Sequence, residues 1–345
     1  MSQSSNRLLS PNMNTNHTTR SPWPHRWAWV LACAVFPLVW WGGLVTTTGA
    51  GMAFRDWLTS DGHWMPFYPW LSSSGDKFVE HGHRLLGMLV GMLAIGMVGI
   101  AWKFESRDWV RKLSFVVLGG IILQGVLGGM RVVFDEQTLA LLHGCTGPLV
   151  FALCVSLVVV TSRWWLDCSV SDATPQLRKF LRLAVLTTGL AYGQLVLGAV
   201  VRHSPRMTSD SAAALFQIAV YLHLFVALAI VVHAVLLVVQ SARTGFERGR
   251  SWLLAGLVGL QVLLGSFTWV VKYGLPRWAA DLFGELQSAN TADNLGQAAI
   301  VTSHVAVGSL ILVLAGALSL RLARQARIVF PLVLVPMASQ LEGVR

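Results

Sequence analysis

The chain has 345 residues, of which 54% are hydrophobic and 12% charged, against about 25% charged residues in a typical soluble domain. The net charge of +10 is divided among the segments between long apolar runs, so it reads as a membrane topology signal and not as a nucleic-acid surface. Those runs reach the ~20 residues a helix needs to cross a bilayer core. They lack the alternation of a membrane barrel strand. The sequence predicts an all-α membrane protein with eight transmembrane helices.

Residues 1–25, rich in Ser, Asn and Thr, read as a disordered cytoplasmic tail. No cleavable signal is expected, because the first apolar run starts too late and is too long. Spans follow at 27–48, 83–102, 113–133, 140–161, 181–201, 218–240, 251–272 and 299–320. The expected organisation is an N-terminal four-helix half (26–161), a cytoplasmic linker (162–180), a C-terminal four-helix half (181–320) and a cytoplasmic tail (321–345). With this span count, one side of the membrane carries 18 of the 26 Lys and Arg residues, among them Lys103, Arg107, Arg111, Lys112, Arg178, Lys179 and Arg182. Lys and Arg accumulate on the cytoplasmic side. Both termini are therefore expected inside an inner membrane.

The outer loops at 49–80 and 273–298 are long, and long loops on one face often cover a site. Trp57, Trp64, Tyr68 and Trp70 in the first are expected at the interfacial aromatic belt. The four cysteines, Cys33, Cys145, Cys154 and Cys168, avoid the outer loops, so no disulfide is expected there. No CxxC occurs, which excludes covalently attached c-type haem.

Three odd helices end alike: Gln124-Gly-Val-Leu-Gly-Gly-Met-Arg131, Gln194-Leu-Val-Leu-Gly-Ala-Val-Val-Arg202 and Gln261-Val-Leu-Leu-Gly-Ser-Phe-Thr268. Helix 1 ends in a looser version, Gly42-Gly43-Leu-Val-Thr-Thr-Thr-Gly49. Small residues let a helix or a flat ligand approach the backbone closely. Each even helix carries a histidine in its first turn or two: His83, His143, His223 and His304. The pattern reads as a four-helix unit used twice, in two pseudosymmetric bundles related by an axis along the membrane normal.

Ionisable groups at membrane depth mark functional sites by default. Neutral imidazole ligates iron, copper or zinc. Four histidines at one depth could form one cluster on a single metal. They could also form two pairs, His83/His143 and His223/His304, each with imidazoles on opposite faces of a haem iron. Arg84, Arg131 and Arg202 lie near the outer surface, where they could pair with propionates. A stacked cytochrome, with two histidines on one helix, has only His233 to offer, so His233 is expected to be a buried polar contact. His81 points away from His83. His17 and His25 belong in or near the tail, and His63 and His203 in solvated outer loops. Glu80 shares a helix face with His83 at i, i+3, whereas Val220 takes that offset before His223. This asymmetry suggests one reactive site and one electron-transfer site.

At these residues the sequence resembles the heme A synthase family of cytochrome oxidase assembly proteins. The motifs are Glu80-x-x-His83-Arg84, Gly42-Gly43-Leu-Val-Thr-Thr-Thr-Gly-Ala-Gly51 leading to Asp56-Trp57, Leu142-His143-Gly144, Gly198-Ala-Val-Val-Arg202-His203 and His304. The resemblance covers most of 27–320. It implies that His83 and His143 ligate the substrate haem, that Glu80 acts in catalysis, and that His223 and His304 ligate a resident haem B. The implied reaction oxidises the C8 methyl of haem O to a formyl group through a geminal diol that loses water. Implied partners are a haem O synthase and an electron acceptor such as a quinone. The chain departs from the family in two places. The first outer loop, Met52-Ala-Phe-Arg-Asp-Trp57, lacks the cysteine pair of many bacterial members, and Leu224 stands where Arg usually follows the helix 6 histidine. The alternatives are a non-enzymatic di-haem cytochrome and a haem-carrying assembly protein. A substrate transporter is disfavoured, since no broken or charged midplane segment is evident.

Overall fold

The computed structural model describes residues 21–169, 174–203, 210–275, 281 and 294–326. Eight helices among them are long and apolar enough to cross a membrane: α1 (Trp23–Thr47), α2 (Gly75–Phe104), α3 (Asp108–Val133), α4 (Gln137–Thr161), α5 (Pro175–His203), α6 (Asp210–Thr244), α7 (Arg248–Tyr273) and α8 (Leu295–Gln325). This is an all-α membrane protein. A short helical turn, Arg163–Asp167, joins α4 to α5.

The helices run past the hydropathy limits. Residues 23–25 and 321–325 are helical and not tail, and α5 starts at Pro175 inside the expected linker. α2 starts at Gly75, so Glu80 and His81 are helical and His83 lies more than two turns into the helix. Hydropathy sees only the part of a helix inside the hydrocarbon layer, while hydrogen bonding carries it beyond. Side-chain oxygens of Glu136 and Asn294 accept from the amides of Thr138 (3.0 Å) and Gln297 (3.0 Å), capping α4 and α8.

α1 packs on α2 and α4, and α3 on α2 and α4; α5 packs on α6 and α8, and α7 on α6 and α8. Each set of four thus closes on itself around an apolar core; Val313 of α8 also enters the core of the first set, and Ala152 of α4 packs against both cores. α1 and α4 meet α5 and α8 at the junction. Within the first set, two tryptophans of α1 lie over glycines of α2. Trp27 covers Gly96 and donates to the Leu93 carbonyl (2.8 Å); Trp41 covers Gly82 and donates to the Val79 carbonyl (2.7 Å). A buried indole N–H needs an acceptor, and the glycine lets the ring lie close enough to reach one.

The first outer loop is ordered. A 3-10 turn at Ala50–Met52 leads to a hairpin of β1 (Thr59–Ser60) and β2 (His63–Trp64). Asp61 (φ 50°) and Gly62 (φ 79°) connect the strands, the left-handed pair that a tight hairpin requires. The four aromatics expected at an interfacial belt differ in their packing. Trp64 is exposed, but Trp57 lies on Gly129 of α3, Tyr68 packs edge-on against Phe54, and Trp70 stacks on Phe78. Most of 273–298 lies outside the described residues.

Candidate functional site

The four even-helix histidines form two pairs. The ring centres of His83 (α2) and His143 (α4) are 6.4 Å apart with planes at 89°, and those of His223 (α6) and His304 (α8) are 6.4 Å apart at 66°. An imidazole nitrogen about 2.0 Å from a metal puts its ring centre about 3.2 Å away. Two rings on opposite sides of one ion are then about 6.4 Å apart, the spacing found here twice. Among the described residues no three His, Cys, Asp or Glu side chains form a metal-holding group, which removes the single-cluster reading. Each pair could hold a planar metal cofactor such as a porphyrin between its two rings.

The second sides of these rings are also arranged alike. Nδ1 of all four is buried without a hydrogen bond. For His143, His223 and His304 a ring nitrogen lies toward the backbone of Gln124, Gln194 and Gln261 without reaching full hydrogen-bonding geometry. Contacts of this kind orient a ligating imidazole. Helix 1 has Leu38 at the corresponding place.

Each ring rests on a glycine of the preceding helix. A β-carbon on Gly42, Gly128, Gly198 or Gly265 would come within 2.9, 3.2, 3.2 and 2.9 Å of Cε1 of His83, His143, His223 and His304 respectively. The sequence motifs contained these glycines, but their pairing with individual histidines was not read from them. The spacing was available: each of Gln124, Gln194 and Gln261 precedes its glycine by one helical turn.

Glu80 is 3% exposed. Its Oε2 accepts from the amides of Ala53 (2.7 Å) and Phe54 (3.2 Å), and its Oε1 from Nη2 of Arg84 (2.7 Å). Nη1 of Arg84 donates to the carbonyls of Asp56 and Thr59, both at 2.9 Å. Arg131 donates to the Gly51 carbonyl (3.1 Å) and is within electrostatic reach of His83 and His143. Arg202 donates to the Gly43 carbonyl (2.8 Å) and Thr47 Oγ1 (2.7 Å) and reaches His304 electrostatically. Arg131 and Arg202 therefore each accompany one pair; Arg84 also reaches His83 electrostatically, but its hydrogen bonds go to Glu80 and the loop.

The other histidines lie apart from the pairs. His81 is fully buried, with Nδ1 3.0 Å from Ser60 Oγ. His233 meets Thr187 Oγ1 at 3.0 Å, a polar contact between α6 and α5. His63 is exposed beside Asp61. His25 belongs to α1, with Nδ1 3.2 Å from Thr161 Oγ1. His203 is not in a solvated loop: it is the last residue of α5, half-buried, with Nδ1 2.8 Å from the Ala199 carbonyl. His17 lies outside the described residues. The cysteines are all free, with Cys145 and Cys154 buried.

Eight apolar helices holding two pairs of neighbouring histidines define a polytopic membrane protein. Residues 71–280 match the family described as cytochrome oxidase assembly protein, and the chain belongs to that family. The chain is 28% identical over 166 residues to the heme A synthase of Alkalihalophilus pseudofirmus, covering 47% of this chain and 54% of that protein. It is 29% identical over 168 residues to the heme A synthase of Shouchella clausii, with the same two coverages, 47% and 54%. The match thus spans about half the length of these curated relatives.

Proposed function

We propose that this protein is an oxidoreductase of haem A synthesis, converting the C8 methyl of haem O to a formyl group for cytochrome oxidase assembly. The observation that carries this reading is the asymmetry between two equally spaced histidine pairs, of which only the first has a carboxylate, Glu80, one turn from a ligand. His83 and His143 would hold the substrate haem O, and His223 and His304 a resident haem B. The two four-helix halves then divide the work, the first for conversion and the second for electron transfer. Haem iron supplies the redox chemistry when bound.

The chain's own residues supply placement. The glycine cradles fix the imidazole planes, and Arg131 and Arg202 are suited to propionates. The loop over the first pair, with Phe54 and Ser60 buried, excludes water. Glu80 has both oxygens engaged by three donors. These donors hold the carboxylate in one fixed position beside the first pair. The distribution of Lys and Arg supports an inner-membrane location with cytoplasmic termini. A haem O synthase to supply the substrate and an electron acceptor, a quinone or another, are the partners that go with this reaction.

The test is expression with a haem O-producing partner, followed by pigment extraction. Haem A is expected from the unaltered chain, and haem O without haem A from Glu80→Ala. The equal 6.4 Å spacings favour a second reading, a di-haem electron carrier. It predicts no haem A and no effect of Glu80→Ala on either haem spectrum.

A further inference from the structure

Arg84 and Glu80 form an i, i+4 ion pair at 2.7 Å, with side chains only 9% and 4% exposed. Each partner also binds the same stretch of the outer loop. The carboxylate takes the amides of Ala53 and Phe54, and the guanidinium takes the carbonyls of Asp56 and Thr59. The anion thus meets the donor end of the segment and the cation its acceptor end. The Phe54 ring lies 5.0 Å from the guanidinium carbon, closing the clamp on a third side. The planar fork divides the work, one nitrogen taking both carbonyls and another the carboxylate.

We infer that Arg84 is a positioning residue: it fixes the Glu80 carboxylate and clamps loop residues 53–59 over the first histidine pair, and it is not a contact for a haem propionate. The inference rests on Glu80 being the carboxylate of the reactive site. Arg131 is the comparison, since it reaches both histidines of that pair electrostatically, whereas Arg84 reaches His83 alone and is held by Glu80 and the loop carbonyls.

The experiment uses the full chain in detergent, as wild type, Arg84→Gln, Arg84→Lys, Arg131→Gln, Glu80→Gln and the Glu80→Gln/Arg84→Gln double variant. Hydrogen exchange reads the loop, spectral titration with haem O reads binding, and pigment analysis reads turnover. In Arg84→Gln, exchange at 53–59 rises about tenfold or more, as for loss of a charge-assisted bond. Turnover at saturating haem O falls about 10- to 100-fold. Haem O affinity stays within about twofold, and the double variant is no worse than Glu80→Gln alone, since coupled residues are non-additive. Arg84→Lys, which keeps the charge but not the fork, recovers part of the protection and guards against a folding artefact. Arg131→Gln weakens haem O binding and leaves exchange at 53–59 unchanged.

Unchanged exchange at 53–59 in Arg84→Gln would overturn the inference. So would a defect confined to haem O affinity and additive with Glu80→Gln, which would make Arg84 a ligand contact. If the unaltered chain forms no haem A, the functional reading fails, while exchange and titration still decide the clamp.

Discussion

Gly42→Ala tests whether the histidine spacing is set by the helix behind each ring. The new β-carbon would lie 2.9 Å from Cε1 of His83, where carbon contacts settle at about 3.5–4.0 Å. The ring must retreat by about 0.6–1.1 Å. Overpacking of this kind costs about 1–3 kcal/mol, and replacing a helical glycine by alanine returns about 0.5–1 kcal/mol. The fold therefore survives with a small loss of stability. The site does not, because metal–nitrogen distances tolerate only about 0.2 Å. Low-temperature electron paramagnetic resonance of the haem-loaded protein should show the low-spin signal of the first pair lost and that of the second kept. Gly265→Ala, also at 2.9 Å, should give the converse. Gly128→Ala and Gly198→Ala, at 3.2 Å, should be milder. Gly99→Ala has nothing within 4 Å of its new β-carbon and should leave both signals intact. Gly42→Ala protein with both signals at full intensity would refute the cradle.

Two further outcomes concern the ends of the bundle. Arg321→Ala removes an ion pair to Glu247 (2.8 Å; side chains 9% and 6% exposed) that ties α8 to the turn before α7. The expected loss is about 3 kcal/mol, the low end of the range for breaking a buried pair, because Arg250 still reaches Glu247 at 2.9 Å. Thermal unfolding in detergent should show it, and an unshifted midpoint would contradict it. At the outer surface, burial acts to raise the Asp56 carboxyl, but the amides of Gly62 and Asp61 and the Thr59 hydroxyl outweigh it and hold it below its ordinary value. A depressed folded-state value means the carboxylate stabilises the hairpin above the unfolded pKa of about 3.9, and this is lost as pH falls through the lower folded value. Exchange protection at 57–62, taken relative to the intrinsic rate at each pH, should fall as pH drops from about 5 to below about 3, and Asp56→Asn should remove that dependence.

Span count and the histidine pairing were legible because each depends on one-dimensional quantities: run length, helical rise and residue type. Glu80 was legible because i, i+3 spacing fixes a shared face. The glycine cradles were half visible. Their positions were in the repeat, but their histidine partners depend on how far each helix is rotated about its axis, which apolar spans facing lipid do not specify. The direction of Arg84 was not legible. A snorkelling arginine and a loop clamp have the same sequence signature, and only the path of residues 53–59 separates them. The true starts of the even helices were missed because hydropathy reports the membrane and not the hydrogen-bond ladder. For His203 the same error placed a helix-terminal residue in a loop.

The Gly42-Gly43 dipeptide has a wider reach than its place in the first half suggests. Gly42 supports His83, while a β-carbon on Gly43 would come within 3.1 Å of Thr302, two residues before His304. The Gly43 carbonyl also receives Arg202 from α5. One dipeptide therefore touches His83 on one side and the segment leading to His304 on the other, so the two halves are not interchangeable modules. Swapping either half for that of a distant relative would mismatch this seam first, and the damage would be expected at both histidine pairs together.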